Sequence, residues 1–569
     1  MGKLKTITNR WYEIIVPLCH FLISFLWENK IFKYGNLEGI LSLVRNEQVI
    51  SIEAELRIVY VLSRIFCLVF ICVFWKIVFF VIKEKPAKKD IIILGSILFI
   101  GFLCGLIMYP DSLGIGIDNY CNFMAARRFQ PTYWQNIYTG AVYGGCLMLI
   151  PHPFSLFVVQ WSFFWSVISY IYIGIGDKCP NKLYKYFVLV VFLFPESYFL
   201  TFNPYRNNYY AVLILFYIAF LYFLFKNREG FISIKKLIVF SLITALIMVW
   251  RSEGLLLGLA GLLIYTIGLI RFSNKKLRIA LLLIVSFATF LVLNQIQSLG
   301  AKKYYGQDYM ILNTTNVLSS IFNDPQANLS YEGAIDDLNA IEAVVPKEVL
   351  REAGMRGYRD YNWTEGRADF NQSLATDEES SAYMSAYYRI ILHNVKTYLG
   401  VQLNSFLSAI NLRPVFTVYS YNSAPQVQLK SFVYDGWKHG AEEVYQTWNT
   451  KAWANNKFRV TVGTSLKEFI YKWRIFIFDS GIGPIIQISF TALLAVFFVL
   501  EFVNSMKIKR FVNSLPFCVA FLAVLGELAA IILFMPEGRS EYLYPVQYAS
   551  YFLVYLYCIE SYKGKGTEK

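Results

Sequence analysis

Long apolar runs separated by short polar stretches dominate the chain. A membrane-spanning helix needs about 20 largely apolar residues, and twelve runs approach that length. We predict spans near residues 11–27, 58–82, 91–109, 153–174, 186–200, 210–225, 237–250, 255–270, 279–294, 484–503, 511–534 and 546–561. This pattern indicates an all-α polytopic membrane protein with about 12 transmembrane helices.

The longest polar block, residues 295–483, has the composition of a soluble domain. Apolar positions recur at helical spacing over 378–411, which predicts a mainly helical extracytoplasmic domain. A stretch rich in Pro, Val and Tyr at 413–435 is instead typical of a strand. The sequence thus divides into an N-terminal two-helix extension at 1–90, a transmembrane module at 91–294, the exported domain at 295–483 and C-terminal transmembrane helices at 484–569.

Positive charge alternates between successive polar stretches. Seven short stretches hold 24 of the 53 Lys and Arg, and the short stretches between them hold 9. The block 295–483 is near neutral, with 18 basic and 19 acidic residues. Because cytoplasmic loops carry an excess of Lys and Arg, we predict a multi-pass cell-membrane protein with both termini cytoplasmic. The net charge of +14 therefore reports topology, and no nucleic-acid partner is expected.

Composition supports a membrane protein and limits the chemistry. Hydrophobic residues make up 56% of the chain and charged residues 16%, whereas a soluble domain carries about 25% charged residues. None of the nine Cys lies in 295–483, which excludes a disulfide framework there. The four His are scattered along the chain, which argues against a multi-His metal centre.

The predicted topology places four segments at the outer membrane boundary: 110–152, 201–209, 251–254 and 535–545. The first contains an apolar stretch, Gly140–Ile150, that is too short to span. We interpret this stretch as lying in the membrane interface.

Asp118 is the candidate catalytic carboxylate. It lies nine residues beyond the span that ends near Tyr109. A carboxylate at the mouth of a membrane cavity can act as a general base or hold a divalent cation through its oxygens. Its position fits a loop-capping role equally well.

Three outer turns each present one arginine: Arg206, Arg251 and Arg539. The planar guanidinium suits phosphate and stays charged in a low-dielectric environment. For a single arginine, contact with a lipid headgroup or with a neighbour such as Glu253 is the simpler interpretation. Convergence of all three with Asp118 favours phosphate recognition.

These features resemble the GT-C superfamily of membrane glycosyltransferases, which use sugars linked to polyprenyl phosphate. The resemblance covers roughly 91–294 and the last outer turn. The segments that carry it are Asp118-Asn119-Tyr120 in the first long outer loop, Pro195, the turn Asn203-Pro204-Tyr205-Arg206, the turn Arg251-Ser252-Glu253-Gly254, and Arg539 with Tyr542-Leu543-Tyr544-Pro545.

The resemblance implies an inverting hexosyl or pentosyl transfer at the outer face. A polyprenyl-phosphate sugar would be the donor, and a glycan or glycolipid of a cell-surface polysaccharide pathway the acceptor. Asp118 would be catalytic, and Arg206, Arg251 and Arg539 would bind the donor phosphate. The supporting residues would be Asn119, Tyr120, Tyr205, Glu253 and Tyr542.

Cofactor use is left open. Many members carry an acidic residue where this chain has Asn119, so a divalent cation held by Asp118 is in doubt. The transfer needs no further cofactor, because the phosphate is already a leaving group.

Two other classes fit the general layout. An O-antigen polymerase or ligase also has about a dozen spans and outer arginines, but it needs no acidic residue like Asp118 in an early loop. A polysaccharide flippase or other transporter predicts charged residues in the middle of the membrane and pseudo-symmetric halves.

Overall fold

The protein is helical throughout the part that its computed structural model describes. That part comprises residues 11–26, 52–84, 86–108, 122–123, 125–127, 129, 136–176, 182–194, 197, 206–272, 276–304, 308–356, 376–410, 456–479, 482–506, 511–534 and 542–566. Within these ranges there is no β-strand. The stretch 413–435, predicted as a strand, lies outside them.

Twenty α-helices follow one another along these ranges. They are α1 (Tyr12–Ile23), α2 (Ile52–Glu84), α3 (Lys88–Met108), α4 (Ile137–Leu149), α5 (Phe154–Ile175), α6 (Lys182–Phe187), α7 (Arg206–Lys226), α8 (Arg228–Phe231), α9 (Ile234–Trp250), α10 (Gly254–Phe272), α11 (Lys276–Tyr304), α12 (Asp308–Phe322), α13 (Ala334–Val344), α14 (Lys347–Arg356), α15 (Asp377–His393), α16 (Val395–Ala409), α17 (Lys457–Asp479), α18 (Ile482–Ser505), α19 (Phe511–Phe534) and α20 (Tyr544–Gly566).

Seven of the described helices contain a segment long and apolar enough to cross a membrane: α2, α3, α5, α7, α10, α11 and α19. The class of an all-α, multi-pass membrane protein is thereby confirmed. The figure of twelve crossings stays a prediction, as does the orientation of the termini.

The predicted span at 186–200 does not form one long helix. The chain makes the short helix α6, then a 3₁₀ turn over Val188–Leu193. Pro195 follows directly, and a proline disfavours helical geometry in the residue before it. The Ser197 hydroxyl donates to the Val191 carbonyl at 2.6 Å and shares a hydrogen bond with Tyr548. Irregular backbone in this apolar segment is thus packed against protein, as a membrane interior requires.

Helix α4 contains nearly all of Gly140–Ile150, whose place in the membrane interface stays a prediction. Its residues from Ile137 to Met148 are all buried. It packs along α2, where Gly144 and Gly145 lie against Ser63 and the backbone beside it. The N-terminal extension is therefore an integral part of the bundle.

Helices α3 and α5 pack closely because glycines of α3 lie against large rings of α5. A Cβ atom at Gly101 would lie 2.0 Å from the Trp161 indole, and one at Gly105 would lie 2.2 Å from the Phe157 ring. The indole nitrogen of Trp161 donates to the Leu98 carbonyl at 3.0 Å. Small residues on α3 thus let large rings of α5 lie directly on its backbone.

Residues predicted to share a membrane face lie together in the bundle. At what we name the lysine end, Lys185 pairs with Asp90 at 2.8 Å and Lys226 pairs with Glu560. The opposite end we name the arginine end. There the Trp250 indole donates to the Arg206 carbonyl at 3.0 Å. The charge pattern predicts that the lysine end is the cytoplasmic one, and this orientation stays a prediction.

Helices α12 to α16 have a core of their own, built from buried side chains such as Ile341, Tyr383 and Ile390. This confirms the helices predicted over 378–411. The Tyr398 hydroxyl donates to the Leu533 carbonyl, at the end of α19. Ala409 and Ile410 join the core of the membrane helices. The helical domain therefore rests on the arginine end of the bundle.

Helix α11 runs from Lys276 to Tyr304 without a break at 294. The domain boundary predicted at 294 lies within α11, and the one predicted at 483 lies within the first turn of α18. Both boundaries stay predictions.

Candidate functional site

The turn between α9 and α10 holds the residues that the sequence singled out at 251–254. Arg251 has extended backbone, which ends α9, and the Gly254 amide donates to the Arg251 carbonyl at 3.0 Å. A Cβ atom at Gly254 would lie 2.1 Å from the Ile247 carbonyl oxygen. Glycine therefore allows the two helices to follow one another with only three residues between them.

Arg251 is held by two partners at this turn. Its Nε donates to Oε2 of Glu253 at 3.2 Å, and its Nη2 donates to Oε1 at 2.7 Å. Its Nη1 donates to the Asn207 side-chain oxygen. The Arg251 and Glu253 side chains are only 10% and 17% exposed. The local ion pair, predicted as the alternative to phosphate contact, is thus present.

Two tyrosine rings flank the guanidinium. The Arg251 Cζ lies 5.4 Å from the centroid of Tyr542 and 6.0 Å from that of Tyr210. A guanidinium within about 6 Å of a ring face is attracted by the ring quadrupole. Tyr542, predicted as a supporting residue, therefore does meet Arg251.

The ion pair sets the charge of both groups. Burial works against ionisation of the Glu253 carboxyl, but the Arg251 guanidinium outweighs it and lowers the Glu253 pKa to about 2. Burial likewise opposes the charge on Arg251, and the Glu253 carboxylate raises the Arg251 pKa above its ordinary value. Both groups therefore stay charged at neutral pH.

Arg206 lies at the same end of the bundle. It is the first residue of α7, and the next residue, Asn207, accepts from Arg251. The Asn136 side chain donates to the Trp250 carbonyl at 2.7 Å, and the Trp250 indole donates to the Arg206 carbonyl. Hydrogen bonds thus tie the start of α4, the start of α7 and the end of α9 together.

Part of the predicted site lies outside the described residues. It comprises the catalytic candidate Asp118, the phosphate-binding candidate Arg539, and the supporting residues Asn119, Tyr120 and Tyr205. Their predicted convergence with Arg206 and Arg251 stays a prediction.

Glu527 is a site residue that the sequence reasoning missed. It lies on α19, two helical turns before Phe534, and its side chain is 1% exposed. Its charged and titratable neighbours are Tyr210, Glu253 and Arg251. The Glu527 carboxyl group and the Tyr210 hydroxyl face one another. Neither makes a well-formed hydrogen bond, with the other or with any further described residue. A lone carboxylate in an otherwise apolar run was the signal for it.

We name Asn207, Tyr210, Arg251, Glu253, Glu527 and Tyr542 the Arg251 cluster. It combines one guanidinium, two carboxyl groups and two tyrosines. Both Glu253 oxygens accept from Arg251, so the cluster offers a metal ion few free ligands. In the part of the chain that the structure describes, no group of three or more His, Cys, Asp or Glu could hold a metal.

Comparison of the chain with protein-family models, with curated proteins and with solved structures finds no match. The resemblance to the GT-C superfamily therefore rests on the sequence motifs alone. The structure adds to them the Arg251 cluster and its place at one end of the membrane helices.

Proposed function

We propose that the chain is an integral membrane glycosyltransferase that works at the arginine end of the bundle. It takes a sugar from a polyprenyl-phosphate donor and transfers it to a glycan or glycolipid acceptor of the cell surface. The arginine end faces away from the cytoplasm, the lysine end faces the cytoplasm, and twelve helices cross the cell membrane.

The observation that carries this proposal is the fixed, largely buried guanidinium of Arg251. Among the described residues, three of its five N–H donors go to Glu253 and Asn207, so two remain for a ligand. A guanidinium already held in place loses little side-chain entropy when it binds phosphate. Its place at the end of the membrane helices suits a phosphate whose prenyl chain stays in the bilayer.

The neighbouring carboxylate limits what Arg251 can do alone. The negative charge of Glu253 neutralises the positive charge of Arg251. The pair therefore offers a phosphate oriented hydrogen-bond donors and little net positive charge. We therefore assign the net charge of the phosphate site to Arg206 and Arg539. Arg251 supplies orientation.

The transfer step needs one base. The acceptor hydroxyl oxygen forms a bond to the anomeric carbon, and the bond from that carbon to the phosphate oxygen breaks, so the phosphate leaves with the electron pair. By the resemblance, Asp118 accepts the hydroxyl proton, a contribution of roughly 10²–10⁴-fold in rate. Arginine donors stabilise the charge that develops on the leaving phosphate.

The experiment uses the purified full-length chain in lipid nanodiscs with radiolabelled polyprenyl-phosphate sugars. Transfer of label to a glycan acceptor, or release of free sugar, supports the proposal. Asp118→Asn should abolish transfer while the protein stays folded. Arg271→Ala removes an exposed arginine at the lysine end and should keep full activity. A wild-type protein that turns over no donor in the panel contradicts the proposal.

Glu527 favours a second candidate, transport coupled to protons. Ionisable residues buried in membrane helices often line ion or proton pathways, and the transporter alternative predicted such a residue. In vesicles with a trapped pH-sensitive dye, a transporter moves protons when its substrate is added, and Glu527→Gln abolishes that flux. Sugar transfer without proton flux supports the glycosyltransferase.

A further inference from the structure

Helix α17 lies along one end of the membrane bundle. The Arg459 guanidinium donates to the Ile107 carbonyl at 3.2 Å, and a Cβ atom at Gly463 would lie 2.6 Å from the same oxygen. Ile107 is the last residue but one of α3. The first part of α17 is therefore fixed at the arginine end of α3.

The C-terminal end of α17 also lies at the arginine end of the bundle. Asp479 ends the helix, and α18 begins at Ile482. The Phe490 and Phe497 rings of α18 lie 5.0 and 4.7 Å from the Tyr551 and Tyr557 rings of α20. The two helices thus run side by side in the same direction, which places Ile482 level with the start of α20, at the arginine end. Helix α17 therefore runs along this end and does not cross the bundle.

Three faces follow one another around α17. One face is buried against the bundle and contains Arg459, Gly463 and Ile470. At 100° per residue, the next face groups Phe458, Phe469 and Phe476 within about 20° of one another. These rings are 68%, 64% and 67% exposed. The third face is polar and exposed, and it contains Lys457, Glu468 and Lys472.

Charge indicates what covers the phenylalanine face. Apart from the buried Arg459, the helix contains four Lys and Arg and two Asp and Glu. A basic helix with large aromatic side chains on one side and lysines on the other is typical of a helix that lies in a membrane interface. The apolar face lies between the buried face and the polar face, so it can enter the lipid while the lysines reach the headgroups.

We propose that α17 is an interfacial helix that docks on the acidic phospholipid headgroups at the arginine end of the bundle. Phe458, Phe469 and Phe476 insert among the acyl chains, and Lys457 and Lys472 contact headgroup phosphates. Helix α17 therefore does not belong to the water-exposed domain that we predicted for residues 295–483. The inference holds whether or not the chain transfers sugars.

A photocrosslinking experiment tests the orientation. A benzophenone amino acid is placed at position 469 or 476, and at 468 or 472 as matched controls on the polar face. The full-length protein is reconstituted in vesicles of equal phosphatidylcholine and phosphatidylglycerol, and adducts are identified by mass. Lipid adducts severalfold more abundant at 469 and 476 than at 468 and 472 support the proposal. Equal yields, or crosslinks from 469 and 476 to a second copy of the chain, overturn it.

A second measurement tests the choice of acidic lipid. With the benzophenone at 469, Lys457→Gln or Lys472→Gln should lower the ratio of phosphatidylglycerol to phosphatidylcholine adducts about fivefold for each lysine. Lys347→Gln, a lysine of α14 in the helical domain, should leave the ratio unchanged. Gel filtration and helical circular dichroism confirm that each variant is folded. An unchanged ratio in both lysine variants contradicts docking on acidic headgroups.

Discussion

Arg251 and Glu253, only two residues apart, form a two-pronged ion pair across the tight turn between α9 and α10. The contacts measure 3.2 Å from Nε to Oε2 and 2.7 Å from Nη2 to Oε1. Glu253 lies at the start of α10, where the helix dipole also favours a negative charge. The pair fixes the guanidinium at the end of the membrane helices, and this arrangement leads to two predictions.

The first prediction separates stability from ligand binding. Arg251→Ala leaves a largely buried carboxylate unpaired, so we expect a loss of about 3–5 kcal/mol. Adding Glu253→Ala should restore most of the melting temperature. If Arg251 also contacts the donor phosphate, affinity for the donor stays lost in the double variant. Thermal unfolding and donor binding, measured on the same samples, separate the two roles.

Arg251→Lys is the matched variant for this prediction. A lysine keeps the charge, but one ammonium group does not reproduce the planar contacts to Glu253 and Asn207. We expect moderate loss of stability and weaker donor binding. Normal donor affinity in the double alanine variant would show that Arg251 only neutralises Glu253.

The second prediction concerns pH. The Glu253 pKa falls from 4.5 to about 2 on folding, so the ionised form is the one that the fold stabilises. The corresponding stabilisation, about 3 kcal/mol, is fully present above pH 4.5 and disappears as the pH falls towards 2. The melting temperature of the wild type should therefore fall over this range more steeply than that of Glu253→Gln. Parallel curves for the two proteins contradict the assigned role of the pair.

Hydropathy located the helices well because membrane crossing imposes length and apolarity on each one. Helix α19 occupies the residues predicted for it, 511–534, and α10 and α20 differ from prediction by a few residues. The same averaging failed at 186–200, because it does not detect that the α-helix ends at Phe187 and is followed by a 3₁₀ turn over Val188–Leu193. It also did not predict that α4 is buried within the bundle, since burial depends on which helices surround a segment.

The candidate site was predictable in part. The turn 251–254 and the pairing of Arg251 with Glu253 follow from neighbouring residues, so the sequence revealed them. The contact of Arg251 with Asn207 joins residues 44 positions apart and depends on how α7 packs against α9. Glu527 was hidden by the strongly apolar run around it, although a single carboxylate in such a run is itself informative.

The third prediction concerns the close packing of α3 and α5. Gly101→Ala should destabilise the protein by about 1–3 kcal/mol, because the added methyl group overlaps the Trp161 indole. The indole cannot move freely, since its nitrogen bonds the Leu98 carbonyl. Gly95→Ala on the same helix meets no atom within 4 Å and is the matched control. Thermal unfolding in detergent should show a loss for the first variant only.

The fourth prediction is topological. If the lysine end is cytoplasmic, a membrane-impermeant thiol reagent outside the cell should label a cysteine placed at Asn362 and miss one placed at Lys85 or Lys565. The reason is the excess of Lys and Arg in the stretches that contain the last two positions. Outside labelling at Lys85 would reverse the orientation and move the Arg251 cluster to the cytoplasmic face.

The fifth prediction concerns Glu527, a carboxyl group with 1% exposure that lacks a well-formed hydrogen bond among the described residues. Burying such a group costs free energy, so its presence in α19 points to a function. Glu527→Leu should therefore keep or raise the melting temperature while it lowers activity, measured as sugar transfer or as proton flux. Glu527→Gln keeps the shape and should lower the same activity. The opposite outcome is a marked loss of stability in Glu527→Leu while the folded fraction keeps its activity. That outcome would show that Glu527 has a structural role only.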